Sequence, residues 1–385
     1  MSTKLIVYDY EIFKYDSLLG AYIIDSDDNI TKFQTWNVEE IKQFYKDNIN
    51  NVWIGHNNFG YDDHITETIV TGLNPYIKSR GIIDKTIKVN KRVSIPLHSY
   101  DNTNKTNYSL KLSELIVGKR VHETDIDFNL DRPLTEEEKK LEEEYNKDDL
   151  EMTLYNFKIF FNQFQLRVDL IKEFGLDFDE AMHSTDAGIA AKVLLAKRNP
   201  NLINKPYHPK TLKTLRVKDE ELLNWYYNEE FREGKTLTRT YGGCEVNIAS
   251  GGAHGAICNS YFDRALYFDV SGYYNLIMIL YDLLSRSVSE EGKKRYINMY
   301  YEQLKMKKTN PLKRAAYKTI LLAVFGAQIN EYSDFYDPWK GPLVPVTGEM
   351  FLIDLMEKLD GLVKVIQSTI DWAELKQLLP YQGCQ

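Results

Sequence analysis

The stretch KLIVYDYE near the start of the chain restricts the fold most. Leu5 to Tyr8 form an apolar, partly β-branched run, and carboxylates follow at Asp9 and Glu11. This is the signature of a strand that ends in charge. Side chains alternate across a strand with period two, so Asp9 and Glu11 share a face. Two carboxylates side by side repel, and something must neutralise them. A divalent cation with a preference for hard oxygen ligands, Mg²⁺ or Mn²⁺, does this. The alternative is a strand end whose carboxylates are simply solvated.

The surroundings of this strand set the fold class. SLLGAYIIDSDDNITKF continues in extended character with SDDN as an internal turn, VEEIKQFYKDN is an amphipathic helix, and NVWIGHNN is a short buried strand. Strands alternating with helices predict an α/β sheet. From Leu134 the pattern becomes helical. Thr135 and Glu138 stand in capping-box spacing, and a long helix is predicted from about Asp149 to Phe174. PYHPKTLKTLRVKDEE looks like a basic connector, RALYFDV like a buried strand, residues 290–325 like Lys-rich helices, and LVKVIQS like a closing strand. Three parts are expected: 1–170, a connector over 171–250, and 251–385. The three cysteines, Cys244, Cys258 and Cys384, are too few and too scattered for a disulfide framework. The first apolar run is too short for a signal peptide, and no run reaches the roughly 18 apolar residues of a membrane span. A cytoplasmic location without membrane association is expected. The net charge of −8 argues against a uniformly basic coat but permits a local basic groove.

Two further carboxylate segments belong with the first. GHNNFGYDD places Asp62 in a loop with Asn57, Asn58 and Tyr61, where a plain turn is the simple alternative. In EEYNKDDLEMT, Tyr145 and Asp149 are four apart and share a helix face. The order DxE on an early strand, an Asn-containing loop ending in YD, then YxxxD on a helix resembles the three motifs of the proofreading 3′→5′ exonuclease domain. SLKLSELIVGKRVHETDIDFNLDRPLTEEE also looks like phage members of that group. The resemblance implies a ribonuclease H-like fold in which Asp9, Glu11, Asp62 and Asp149 hold two metal ions and Tyr145 orients a water. One metal would generate hydroxide, and the other would stabilise the leaving 3′ oxygen.

The second half carries its own pattern. RALYFDVSGYYNLIMIL resembles motif A of family B DNA polymerases, which implies metal binding by Asp269 and stacking of Tyr274 under the incoming sugar. Gly272, Tyr273, Asn275 and Leu276 depart from the usual motif. KRAAYKTILLAVFGAQ resembles motif B, with Lys318 at the phosphate-binding lysine, Phe325 at its tyrosine and Gly326 at its glycine, while Leu322 and Ala323 replace Asn and Ser. Between these motifs lie Lys293, Lys294, Arg295, Lys305, Lys307, Lys308, Lys313, Arg314 and Lys318, with Glu302 as the sole acid. That excess favours a phosphate-facing surface over a merely solvated one. Lys305 and Lys308 are candidates for a second triphosphate contact, and Lys313 and Arg314 for DNA. Tyr241, Gly242 and Gly243 resemble the YxGG/A linker, a DNA contact, unless they only build a tight hairpin.

Taken together the resemblance implies a ribonuclease H-like exonuclease followed by an incomplete α+β polymerase palm with helical fingers and no thumb. The expected activity is that of a DNA-directed DNA polymerase fragment with proofreading, acting in phage DNA replication in the host cytoplasm. Two Mg²⁺ or Mn²⁺ ions per active site, a DNA primer–template and dNTPs are implied. By register after IQS, Asp371 falls at the aspartate of a TDG-type motif C turn, though Thr369, Ile370 and Trp372 depart from it and family sequence is expected to end near Ser368. Three readings stay open: a polymerase whose motif C and thumb come from a second polypeptide, a nuclease without synthesis, and a non-catalytic nucleic-acid-binding protein.

Overall fold

The computed structural model describes residues 4–90, 92–103, 108–121, 124–205, 216–227, 235–249 and 252–371. The chain groups into two compact units, Met1–Ser184 and Thr185–Gln385.

Unit 1 is built on a mixed sheet of β1 (Leu5–Ile12), β2 (Ser17–Ile24), β3 (Ile30–Thr35), β4 (Val52–Gly55) and β5 (His98–Asp101), in the order β3-β2-β1-β4-β5. β1 to β3 run antiparallel, and β4 and β5 run parallel to β1. The SDDN turn forms because the Asp25 carboxylate accepts from the backbone N–H groups of Asp27 and Asn29. Helices α1 (Val38–Asp47), α2 (Asp62–Val70), α3 (Pro75–Ile83), α4 (Leu110–Ile116), α5 (Glu136–Phe174) and α6 (Phe178–Met182) complete the unit. α1 is capped by Asn37, and α5 by a full Thr135–Glu138 capping box. α5 is one continuous helix that ends at Gly175 in the left-handed conformation.

The apolar run of β1 is buried on both sides, as its composition requires. Ile6, Tyr8 and Tyr10 pack with Trp53, Ile41 and Ile65 on one face of the sheet. Val7 packs with Ile54, Tyr100, Leu150 and Phe157 on the other, against α5. Asp9 and Glu11 share the α5 face with Val7. Continuous burial on both faces makes β1 the central strand and fixes its register.

Unit 2 contains α7 (Asp186–Val193), α8 (Glu220–Tyr227), β6 (Leu237–Tyr241), β7 (Cys244–Ala249), β8 (Gly252–Ala256), α9 (Tyr273–Leu280), α10 (Glu290–Lys305), α11 (Pro311–Ile329), α12 (Lys340–Leu359) and β9 (Gln367–Asp371). The four strands form an antiparallel sheet in sequence order. One face packs on α12 and α8 through Val246, Ile248, Val346, Ile353 and Leu222. No helix among the described residues is long and apolar enough to cross a membrane.

Two expectations change here. Residues 264–270, expected as a buried strand, join no sheet, and Leu266, Tyr267 and Phe268 are 87%, 86% and 77% exposed. Strand propensity does not hold a strand without a ladder partner, and no described strand pairs with this segment. LVKVIQS also shifts: the strand starts at Gln367 and runs through Asp371, which lies opposite Gly252, so it does not end at Ser368. The residues before it serve the β6–β7 turn instead, since Val365 N–H donates to Gly242 O at 3.0 Å.

Candidate metal centre

Two elements of unit 1 converge on one point, and a third begins beside it. β1 delivers Asp9 and Glu11, and α5 delivers Asp149, so that one ligand oxygen of each lies within 4.8 Å of the others. No other such group of three occurs among the described residues. α2 begins at Asp62, which is 3% exposed and has a buried Oδ1 with no hydrogen-bond partner. Asp62 lies outside the triad but close enough to Asp9 for each charge to oppose the other.

The electrostatics follow from crowding acids in a buried place. Burial, and then the neighbouring Asp149 charge, push the Asp9 carboxyl up to about 8. Burial and then Asp9 raise Glu11, and burial and then Asp9 raise Asp62. Burial also raises Asp149, opposed by Lys111, whose Nζ is 2.8 Å from Asp149 Oδ1. The Tyr145 hydroxyl hydrogen-bonds Asp149, and Lys111 Nζ lies 4.3 Å from the Tyr145 ring centroid. One lysine does not balance four crowded carboxylates. All-oxygen donors, an orphaned carboxylate oxygen and an uncompensated negative charge fit hard divalent cations such as Mg²⁺ or Mn²⁺.

Supporting residues hold the ligands in place. The Asp101 carboxylate accepts from Asn57 N–H at 2.9 Å and Phe59 N–H at 3.4 Å, which stabilises the loop leading to Asp62 with Asn57 at φ 66°. On the other face of the sheet, Asp63 accepts from Tyr8, from Asn58 at 2.9 Å and from Ser99 at 2.6 Å, tying β1, the loop and β5 together. Asn146 donates to Asp9 Oδ2 at 2.8 Å. Sequence reasoning missed Lys111, Asn146, Asp63 and Asp101. Asn146 carried a weak signal, lying next to Tyr145 within YxxxD; the others depend on which strands become neighbours.

The residues marked in unit 2 fall differently. Asp269 is exposed in the irregular segment and belongs to no carboxylate group among the described residues. Tyr274 and Phe325 do meet, stacked at 4.5 Å and 26°, which joins the two motifs they come from. Lys318 is exposed on α11, Lys305 ends α10, and Lys308 is exposed in the turn between them. Lys313 Nζ lies 5.2 Å from the Tyr317 ring centroid, and the buried Arg314 Nε has no hydrogen-bond partner. Lys293 and Arg295 are held by Glu290 and Glu291, just outside the basic run. Tyr241 is buried in the sheet core, which pushes its phenol up to about 12. Gly242 and Gly243, at φ 53° and 79°, form the two-residue turn between β6 and β7. A Cβ on Gly242 would lie 2.8 Å from Val363 O, so its close approach is to this chain's own backbone. The three residues thus build the tight hairpin weighed beside a DNA contact. For Asp371 the structure gives the backbone position at the end of β9.

No protein-family model matches the sequence, and no curated protein is detectably similar to it. Its fold, a mixture of α and β structure, is similar to that of a family B DNA polymerase. The solved structure in question is the family B DNA polymerase of the hyperthermophilic archaeon Pyrobaculum calidifontis, with a TM-score of 0.55, 14% sequence identity, and coverage of 96% of this chain and 53% of the archaeal one. The chain spans about half the length of that polymerase.

Proposed function

We propose that unit 1 is a metal-dependent 3′→5′ exonuclease acting on DNA, and that unit 2 belongs to the polymerase region of a phage-type family B enzyme. The convergence of Asp9, Glu11 and Asp149 within 4.8 Å carries the first part. Asp9, Glu11, Asp149 and the orphaned oxygen of Asp62 would hold the cations. When bound, these supply Lewis acidity that activates water and stabilises charge on the departing 3′ oxygen. The chain's own groups do the rest. Tyr145, fixed by Asp149, orients the attacking water, and Lys111 offers a positive charge beside Asp149. Without cations, four crowded carboxylates would repel a phosphodiester.

The polymerase part rests on the fold likeness and on the Tyr274–Phe325 stack. In this reading Lys318, Lys305 and Lys308 face the triphosphate of a dNTP, Lys313 and Arg314 face the primer–template, and Asp269 serves as a metal ligand. Among the described residues no further carboxylate groups with Asp269, and in this reading synthesis by this chain is weak unless further carboxylates join it, as from a second polypeptide. The test is a paired assay. Purified protein is expected to shorten 3′-ended single-stranded DNA with Mg²⁺ or Mn²⁺ and to extend a primer poorly. Full nuclease activity in the Asp9→Ala/Glu11→Ala protein would overturn the nuclease assignment. Processive synthesis by this chain would overturn the assignment of weak extension.

A further inference from the structure

Asp9, Gly20 and Gln34 stand side by side across three strands. Asp9 pairs with Gly20, and Gly20 with Gln34, so all three share the face that meets α5. The middle position has no side chain. Into the gap comes Asn146 of α5, fully buried. A Cβ on Gly20 would sit 1.8 Å from Asn146 Oδ1 and 2.8 Å from Leu150 Cδ1, so any larger residue expels the amide. The amide is polarised by its neighbours. Gln34 Nε2 donates to Asn146 Oδ1 at 3.3 Å and to Glu143 O at 2.9 Å. Its oxygen thus engaged, Asn146 turns its NH₂ to Asp9 and donates to Oδ2 at 2.8 Å. Donor and acceptor run one way along the row, from Gln34 through Asn146 to Asp9.

We infer that Asn146, seated in the slot left by Gly20, is a positioning residue that fixes the Asp9 carboxylate for cation binding. This rests on the exonuclease reading above. Groups that hydrogen-bond a ligating carboxylate set its rotamer before the cation arrives, and their loss weakens affinity by about 10- to 100-fold. Asn146 is not itself a ligand, because it faces the cluster through an N–H donor. Gly20 touches no carboxylate and acts only by leaving room.

The test uses the full chain at a temperature where circular dichroism shows every variant folded. Mn²⁺ binding is measured by calorimetry without DNA, and shortening of a single-stranded oligonucleotide is measured against Mg²⁺ concentration. Asn146→Ala is expected to raise both metal midpoints about 10- to 100-fold while turnover at saturating metal is largely kept. Gly20→Ala is expected to do the same by displacing the amide. The double variant is expected to be no worse than the more severe single one, since both remove one hydrogen bond. Unchanged midpoints in Asn146→Ala, or additive effects in the double variant, would overturn the inference while wild-type binding left the nuclease reading standing. Wild-type protein that binds no Mn²⁺ and shortens no DNA would overturn both. Asn146→Ala only removes atoms, so the result stands even if Gly20→Ala does not fold.

Discussion

LIVYD and ALYFD share one pattern, an apolar run that ends in aspartate, and the molecule treats them oppositely. In unit 1, Ile6, Val7 and Tyr8 are at most 1% exposed at the centre of a five-stranded sheet, and Asp9 emerges among partner carboxylates. In unit 2, Leu266, Tyr267 and Phe268 are largely exposed, and Asp269 joins no carboxylate group among the described residues. The pentapeptides differ little in strand propensity. What differs is whether neighbouring strands take up their backbone groups. An aspartate at a strand end needs that pairing as much as it needs its own carboxylate, because the sheet aims it.

The largest test of the contrast is chemical. Removing both carboxylates of β1 in Asp9→Ala/Glu11→Ala should lower the nuclease rate by about 10³-fold or more, since metal assistance supplies several kcal/mol of barrier lowering. Asp269→Ala should leave that rate unchanged. An equal loss from both variants would mean that Asp269 joins the same centre, and the contrast would break.

The next effect is on stability. Ile6→Ala should cost about 2–5 kcal/mol in chemical denaturation, the range for a buried aliphatic residue cut to Ala in a core that relaxes only partly. A cost near zero would show that β1 does not hold unit 1 together.

A smaller effect separates the units through pH. The Asp9 carboxyl is pushed to about 8, and Glu349 in unit 2 is likewise pushed to about 8 by burial against the hydrogen bond from Tyr226. Unfolded carboxyls release their protons near pH 4. Between pH 4 and 8 the folded protein therefore holds protons that the unfolded chain has lost, and stability falls as pH rises through that window. Thermal melts of metal-free protein should show this decline. Mn²⁺ should flatten the share that comes from Asp9, and Glu349→Gln the share from Glu349. Mn²⁺ that left the whole decline intact would remove the cation from unit 1.

Much of unit 1 was legible because its signals are local. Period two put Asp9 and Glu11 on one face, a spacing of four put Tyr145 and Asp149 on another, and the Thr135–Glu138 box marked where α5 begins. The slot at Gly20 was not legible. It needs the register of three strands and the approach of a helix from more than a hundred residues away, and no local pattern encodes either. Asp63 and Asp101 stayed hidden for the same reason, since their partners come from β1, β5 and the loop before α2. In unit 2 the local signals misled. RALYFDV has the composition of a strand but has no ladder partner among the described residues. The valines of LVKVIQS, read as strand, lie at the Gly242 turn, and the ladder starts two residues after Val365, at Gln367.

The smallest expected effect decides most about the opening contrast. Leu266→Ala occupies the position in ALYFD that Ile6 occupies in LIVYD. A side chain 87% exposed has little burial to lose, so its removal should change stability by no more than about 0.5 kcal/mol. Paired with Ile6→Ala in one denaturation series, it reads out the sheet's contribution, because both positions lie in apolar runs that end in aspartate. A cost for Leu266→Ala near that of Ile6→Ala would mean the segment packs as a strand in solution, with Asp269 aimed as Asp9 is. The same comparison repeated with a primer–template and dNTP present asks whether substrate recruits the segment. If the cost appears only then, residues 264–270 pair on binding, and the difference between the two pentapeptides is one of timing. If it stays near zero, Asp269 needs strands that these residues alone do not supply.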